Sequence, residues 1–155
     1  MRFRFLETLV PPPVVAALAA ALMWGIARAW PELGVDIPAA RQIALALAAP
    51  GLLLDFVGVL TFLRARTTVN PMRPHKAREL VTGGLYAWTR NPMYLGWVPI
   101  LAGWAVYLEQ PLTLLVVPLF VAYLTRFQII PEESALRQRF GAGFDAYARK
   151  VRRWI

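Results

Sequence analysis

The sequence predicts an all-α fold, an integral membrane bundle of about four transmembrane helices with a C-terminal amphipathic helix at the interface. Three observations predict it. Of the 155 residues, 58% are hydrophobic and only 17% charged, whereas soluble domains run at about 45–50% apolar and about 25% charged. The apolar residues fall in long blocks, with prolines and glycines mostly at the block ends. Lys and Arg are unevenly divided between the connecting segments, as in chains oriented by positive charge.

The first block runs from about Val10 to Trp30 and opens on Pro11, Pro12 and Pro13, residues suited to a helix start because the first N–H groups have no partner there. Arg2, Arg4 and the triplet Ala27-Arg28-Ala29 also fit a signal peptide. The length of the apolar stretch, which holds Trp24, favours a span. The second block runs from about Gln42 to Leu63, the third from Pro92 to Leu108, and the fourth from Pro111 to about Ile130. Crossing the hydrocarbon takes about 20 residues, so blocks one, two and four are long enough and block three is short. Only Glu109 and Gln110 separate blocks three and four, which demands a tight antiparallel hairpin. A separate helix is expected after Pro131. Its apolar positions Leu136, Phe140, Phe144, Tyr147, Val151 and Trp154 recur every three or four residues, with Arg137, Arg139, Arg149 and Lys150 elsewhere around it. Gly141 and Gly143 weaken its middle.

One side of this layout collects Arg2, Arg4, Arg64, Arg66, Arg73, Lys76, Arg78, Arg90, Arg126 and the basic residues beyond it. The other keeps only Arg28 and Arg41, beside Glu32, Asp36 and Glu109. Both termini and the functional site are therefore expected in the cytoplasm, and the basic inside and small size suit a prokaryotic plasma membrane. The net charge of +8 belongs to residues that flank apolar spans, so its expected partners are membrane lipids and not nucleic acid. With no cysteine and a single histidine, His75, there is no disulfide and no Cys/His zinc site. No metal is expected, and His75, in a basic loop, reads as an exposed residue.

Two polar clusters lie on the basic side. The first spans Leu80 to Gly96, where Gly83 and Gly84 permit close backbone approach and Pro92 starts a helix with free N–H groups. Tyr86, Trp88 and Tyr94 add aromatic faces, and Arg90 adds a planar charged fork suited to a carboxylate. The second is Glu132-Glu133 after Pro131, acids at the positive end of a helix that also suit a cationic or polyhydroxyl ligand. A third feature is Asp55, about two turns inside block two, where a lone acid costs about 2.5–3.5 kcal/mol. It is expected either to pair with Arg126 or Arg64 or to line a substrate cavity. A small transporter using Asp55 as its coupling acid would explain that residue, but not the Arg90–Gly96 run or the paired glutamates.

Taken in order, Thr68-Val69-Asn70-Pro71, Leu80-Val81-Thr82-Gly83, Tyr86, Arg90-Asn91-Pro92-Met93-Tyr94-Leu95-Gly96, Glu132-Glu133, Phe140-Gly141, Tyr147 and the ending Val151-Arg152-Arg153-Trp154-Ile155 resemble the isoprenylcysteine carboxyl methyltransferase family, kin to the membrane phospholipid methyltransferases. The resemblance implies one membrane domain over 1–155, with an N-terminal helix pair (1–66) and a cofactor-binding methyltransferase-like region (67–155). It implies an S-adenosylmethionine-dependent enzyme acting on a lipophilic acceptor, most readily a prenylcysteine-type or other lipid carboxylate, with a phospholipid amine as the alternative. Tyr86, Arg90, Asn91, Pro92, Tyr94, Gly96, Glu132 and Glu133 would bind the cofactor. Arg90 and Glu133 would take catalytic roles; apart from the resemblance, Asp55 and Trp88 are candidates for lining the substrate cavity. The chain departs from the family pattern at Asn91, where histidine is usual, and at Gly84-Leu85-Tyr86, where Gly-Pro-Tyr is usual. Asn91 cannot titrate, so no general base belongs there.

Overall fold

A computed structural model describes residues 10–64 and 80–155. The features read at 1–9 and 65–79, among them Arg2, Arg4, Arg66, the Thr68-Val69-Asn70-Pro71 run, Arg73, His75, Lys76 and Arg78, lie outside the described residues.

Helix α1 (Pro12–Ala29) begins on prolines, with Pro11 extended ahead of it. Helix α2 (Ala40–Arg64) carries Pro50 in its interior, and α3 (Pro92–Tyr107) carries Pro99. From Pro111 the chain passes through a 3₁₀ turn (Pro111–Leu115), α4 (Val116–Leu124), a π turn (Thr125–Ile129) and α5 (Ile130–Phe140). Helix α6 (Ala142–Lys150) follows. Three stretches, Pro12–Ala29, Ala40–Thr61 and Pro111–Phe140, are long and apolar enough to cross a membrane. The 16 residues of α3 reach only about 24 Å at about 1.5 Å each, as expected of the short block.

Two expectations are corrected. No helix break occurs at Pro131, which sits in the first turn of α5 directly after the π turn. A proline removes one N–H and crowds the preceding turn, and the wider π turn takes up that disruption without ending the helix. The C-terminal amphipathic helix is two helices, because Gly141 takes φ 52°, a left-handed value that ends α5 before α6 begins. Val151 is extended (φ −116°, ψ 131°), so the last residues form a strap rather than another helical turn.

The most extensive helix contact is between α2 and α3, and glycines set its closeness. A Cβ on Gly103 would stand 2.7 Å from the Ala44 carbonyl oxygen, and one on Gly96 would stand 2.6 Å from that of Gly51. Lipid tails are as apolar as leucine, so association within a bilayer draws on such backbone approach rather than on a hydrophobic drive. The buried core lies on the other side of α3, where Ala16, Ala19 and Met23 of α1 meet Leu101, Ala105, Phe120 and Leu124. Leu18, Leu52, Leu53, Phe56 and Leu119 project outward and are exposed, the arrangement of a surface solvated by lipid. At the end of the bundle away from Arg90, the α1–α2 loop is pinned to the α3–α4 turn. Val35 N–H donates to the Glu109 carbonyl (2.8 Å), Ile37 N–H donates to the Glu109 carboxylate (3.0 Å), and the Gln110 amide donates to the Trp30 carbonyl (2.7 Å).

Candidate functional site

Pro92 fixes the start of α3, so the residues just before it must find partners outside the helix. They find them in the C-terminal strap. Arg90 N–H donates to the Arg152 carbonyl (2.9 Å), and both the Thr89 hydroxyl (3.3 Å) and the Asn91 amide (2.9 Å) donate to the Arg153 carbonyl. The Trp154 indole donates to the Thr125 hydroxyl (3.1 Å), which ties the strap to the π turn. The bonds from Thr89, Arg90 and Asn91 bring positions some 60 residues apart in sequence to one end of the bundle.

Between the α3 start, α5 and α6 lies a narrow cleft of about 110 Å³, walled by Tyr86, Tyr94, Glu132, Leu136, Phe144 and Tyr147 among others. Glu132 and Glu133 are adjacent, but successive helical side chains point about 100° apart, and the two carboxylates have different surroundings. One oxygen of Glu132 accepts from the Tyr94 hydroxyl (2.7 Å) and from the Gln128 amide. Glu133 is 12% exposed and sits between two arginines. Its Oε1 accepts from Arg90 Nε (3.2 Å) and Nη2 (2.8 Å), and Arg153 donates from Nε to Oε1 (3.0 Å) and from Nη2 to Oε2 (2.7 Å). Arg90 Nη1 donates to the Ala148 (3.0 Å) and Val151 carbonyls, so the guanidinium also caps the end of α6. The hydrogen bond to Glu133 holds the Arg153 guanidinium above its ordinary pKa. Burial raises the Tyr86 phenol well above its ordinary range and pushes Tyr147 up to about 12, against the pull of the Arg90 charge. Both therefore stay protonated at neutral pH, and the Tyr147 hydroxyl donates to the Tyr86 carbonyl (2.7 Å).

The structure thus gathers Tyr86, Arg90, Asn91, Tyr94, Glu132 and Glu133 on one cleft. It separates four other sequence-read positions from the cleft wall. Pro92 is buried in the helix start, and Trp88 is 83% exposed on the surface. Gly96 faces Gly51 and Asp55 on α2. Asp55 packs there with Oδ1 buried and without a hydrogen-bond partner among the described residues, and no ion pair reaches it from Arg64 or Arg126. The expected pairing fails because the tight glycine seam turns Asp55 toward α3. Sequence reading missed Gln128, buried at 2% exposure one turn before Glu132, because its signal, a polar residue four before an acid, was hidden by the break expected at Pro131.

An acidic group with one oxygen fixed by two donors, set among phenols and apolar side chains, suits a ligand that combines hydroxyl or cationic groups with a flat apolar part. Fold and site together define an integral membrane protein whose helical bundle carries a small acidic, aromatic cleft at one end. The model of the phospholipid methyltransferase family matches residues 40–143, and the chain belongs to that family. It is 33% identical over 129 residues to the mouse protein-S-isoprenylcysteine O-methyltransferase, covering 79% of this chain and 43% of the mouse protein. The human protein of that name is 31% identical over 145 residues, covering 88% of this chain and 48% of the human one. The chain therefore spans about half the length of these mammalian relatives. The solved structure of the eukaryotic intramembrane Ras methyltransferase, isoprenylcysteine carboxyl methyltransferase, has the same fold with a TM-score of 0.52 and 24% identity, over 92% of this chain and 52% of that one.

Proposed function

We propose that this chain is an S-adenosylmethionine-dependent methyltransferase acting at the membrane surface on a lipophilic acceptor, in the first instance a carboxylate of the prenylcysteine type. The observation that carries the reading is the Tyr94–Glu132–Gln128 arrangement on the cleft, within the segment matched by the family. When bound, the cofactor would supply an electrophilic methyl on a sulfonium, for transfer to an acceptor oxygen with the bond pair left on sulfur. The acidic and aromatic groups of the cleft suit its ribose hydroxyls, ammonium and adenine, and Glu132 is the residue assigned to the hydroxyls or the ammonium. A carboxylate acceptor is already ionised, so the chain has no proton to remove. Its work is to align the partners and exclude water, which supplies several kcal/mol of the barrier.

In this reading Glu133 and Arg90 are positioning residues. Their charges are spent on each other, on Arg153 and on the end of α6, and that lattice holds the cleft together. The region 67–155 would carry the cofactor site, and the positive-inside bias would place it in the cytoplasm, with a prokaryotic plasma membrane as the setting. The family match by phospholipid methyltransferase favours a second acceptor, a lipid amine, for which Glu132 would take the proton. The test is calorimetry of S-adenosylhomocysteine with the detergent-purified chain and its Glu132→Gln variant. Micromolar binding that weakens at least tenfold in the variant supports the reading. Well-folded protein that binds nothing in detergent or in lipid overturns it.

A further inference from the structure

On the positive-poor side of the chain only two arginines occur, Arg28 and Arg41. Arg28 is accounted for, its guanidinium lying over the Trp24 ring at 5.2 Å. Arg41 is exposed, makes no ion pair among the described residues, and sits in the first turn of α2. A cation there opposes the helix dipole, so Arg41 does nothing for the helix itself.

Beside it opens a slot of about 670 Å³, within the volume range of ligand pockets, about 300–1,000 Å³. Helix α1 leans on α3 and α4, and α2 leans on α3, leaving the wedge between α1 and α2 open. Ala17 and Ala20 of α1 face Ala44 and Ala48 of α2 across the wedge, with Trp97 and Trp104 of α3 behind. The alanines make the slot wide and apolar, and no acid lines it. Arg41 and Tyr107 mark its outer end. Because Ala44 packs on Gly103 and Gly58 packs on Met93, that end lies at the opposite pole of the bundle from Glu132 and Glu133. The slot shares no lining residue with the cleft.

We propose that this slot holds one acyl chain of an anionic membrane lipid, with its head group against Arg41, in the leaflet opposite the candidate site. The apolar walls take the chain, and the tyrosine and arginine at the rim take the head, as aromatic and cationic side chains do at membrane interfaces. The unpaired guanidinium supplies the choice of charge, and one such residue near a membrane surface favours an anionic head by roughly fivefold.

The test uses the whole chain in an uncharged detergent, mixed with phosphatidylglycerol or phosphatidylcholine, with bound lipid counted by native mass spectrometry. One phosphatidylglycerol per chain is expected, retained about fivefold better than phosphatidylcholine. Arg41→Gln should lower retention to the phosphatidylcholine level. Ala48→Phe should abolish retention of both lipids while S-adenosylhomocysteine binding, where present, is unchanged. Equal retention of the two lipids, charge selectivity that survives Arg41→Gln, or lipid still bound by a folded Ala48→Phe chain would each overturn the proposal.

Discussion

Replacing Arg90 by lysine separates two roles that a charge in this place can play. The guanidinium makes four contacts from three nitrogens, with Nε and Nη2 on Glu133 and Nη1 on the Ala148 and Val151 carbonyls. An ammonium keeps the charge but donates from a single point, so it reaches either the carboxylate or the end of α6 and not both. At least one charge-assisted bond is lost, and one or two backbone acceptors are left without their partner. At about 1.5–3 kcal/mol for a hydrogen bond to a charged group, and with Arg153 still holding Glu133 at 2.7 Å, the net cost comes to about 2–3 kcal/mol. Thermal unfolding in detergent should register it. Calorimetry should show S-adenosylhomocysteine binding weakened together with stability, since α6 forms one wall of the cleft through Phe144 and Tyr147. Glu133→Gln should give a similar loss, and the double variant should cost clearly less than the sum, because the two residues share one contact. If Arg90→Lys unfolds like the parent and raises only the KM for the acceptor, the charge is steering substrate and the framing argument is wrong.

Two further substitutions test the packing and the carboxylate clamp. Gly103→Ala should destabilise the bundle by about 1–3 kcal/mol, because its Cβ would meet the fixed Ala44 carbonyl at 2.7 Å. Gly58→Ala should cost less, because its neighbour at 2.6 Å is the flexible Met93 side chain; equal unfolding temperatures for the two would refute that ranking. Gln128→Leu should weaken S-adenosylhomocysteine binding about tenfold with little change in acceptor KM. Its effect should vanish in a Glu132→Gln background, and an undiminished effect there would show that Gln128 acts through something other than Glu132.

Much of this architecture was legible because hydropathy reads the solvent directly. Blocks placed at Gln42–Leu63 and Pro92–Leu108 correspond to α2 (Ala40–Arg64) and α3 (Pro92–Tyr107) within a residue or two. Local chemistry misled at two points. Pro131 signals a break in an isolated helix, but a π turn ending two residues earlier accommodates it. The spacing of Val151 and Trp154 continues a helical pattern that Gly141 and the extended Val151 have already ended. The residues of the cleft were readable as types, while their pairing was not. Nothing in the local sequence tells that Arg153, and not a ligand, takes the second oxygen of Glu133, since that contact depends on where the strap crosses the start of α3.

The adjacent glutamates show why that distinction matters for function. Had both carboxylates faced the cleft, their mutual repulsion in a poorly solvated place would have driven one of them to take up a proton. The helix turns Glu133 away to two arginines, which neutralise it and in doing so lock α3, α5 and the C-terminal strap together. Glu132 is left beside groups that donate hydrogen bonds without carrying charge, the Tyr94 hydroxyl and the Gln128 amide. These fix its orientation without setting an opposite charge against it. A carboxylate so oriented and ion-paired with no group of the protein among the described residues favours a cationic ligand, and a sulfonium cofactor would bring such a charge to the cleft. Ionised beside a bound cofactor, Glu132 has its charge matched, whereas without the cofactor it would repel an acceptor carboxylate approaching directly, so in the proposed reaction a carboxylate acceptor enters after the cofactor has bound. Ordered kinetics, with cofactor first and acceptor second, are therefore expected from initial-rate product-inhibition patterns, and random binding would mean that Glu132 does not face the reacting groups.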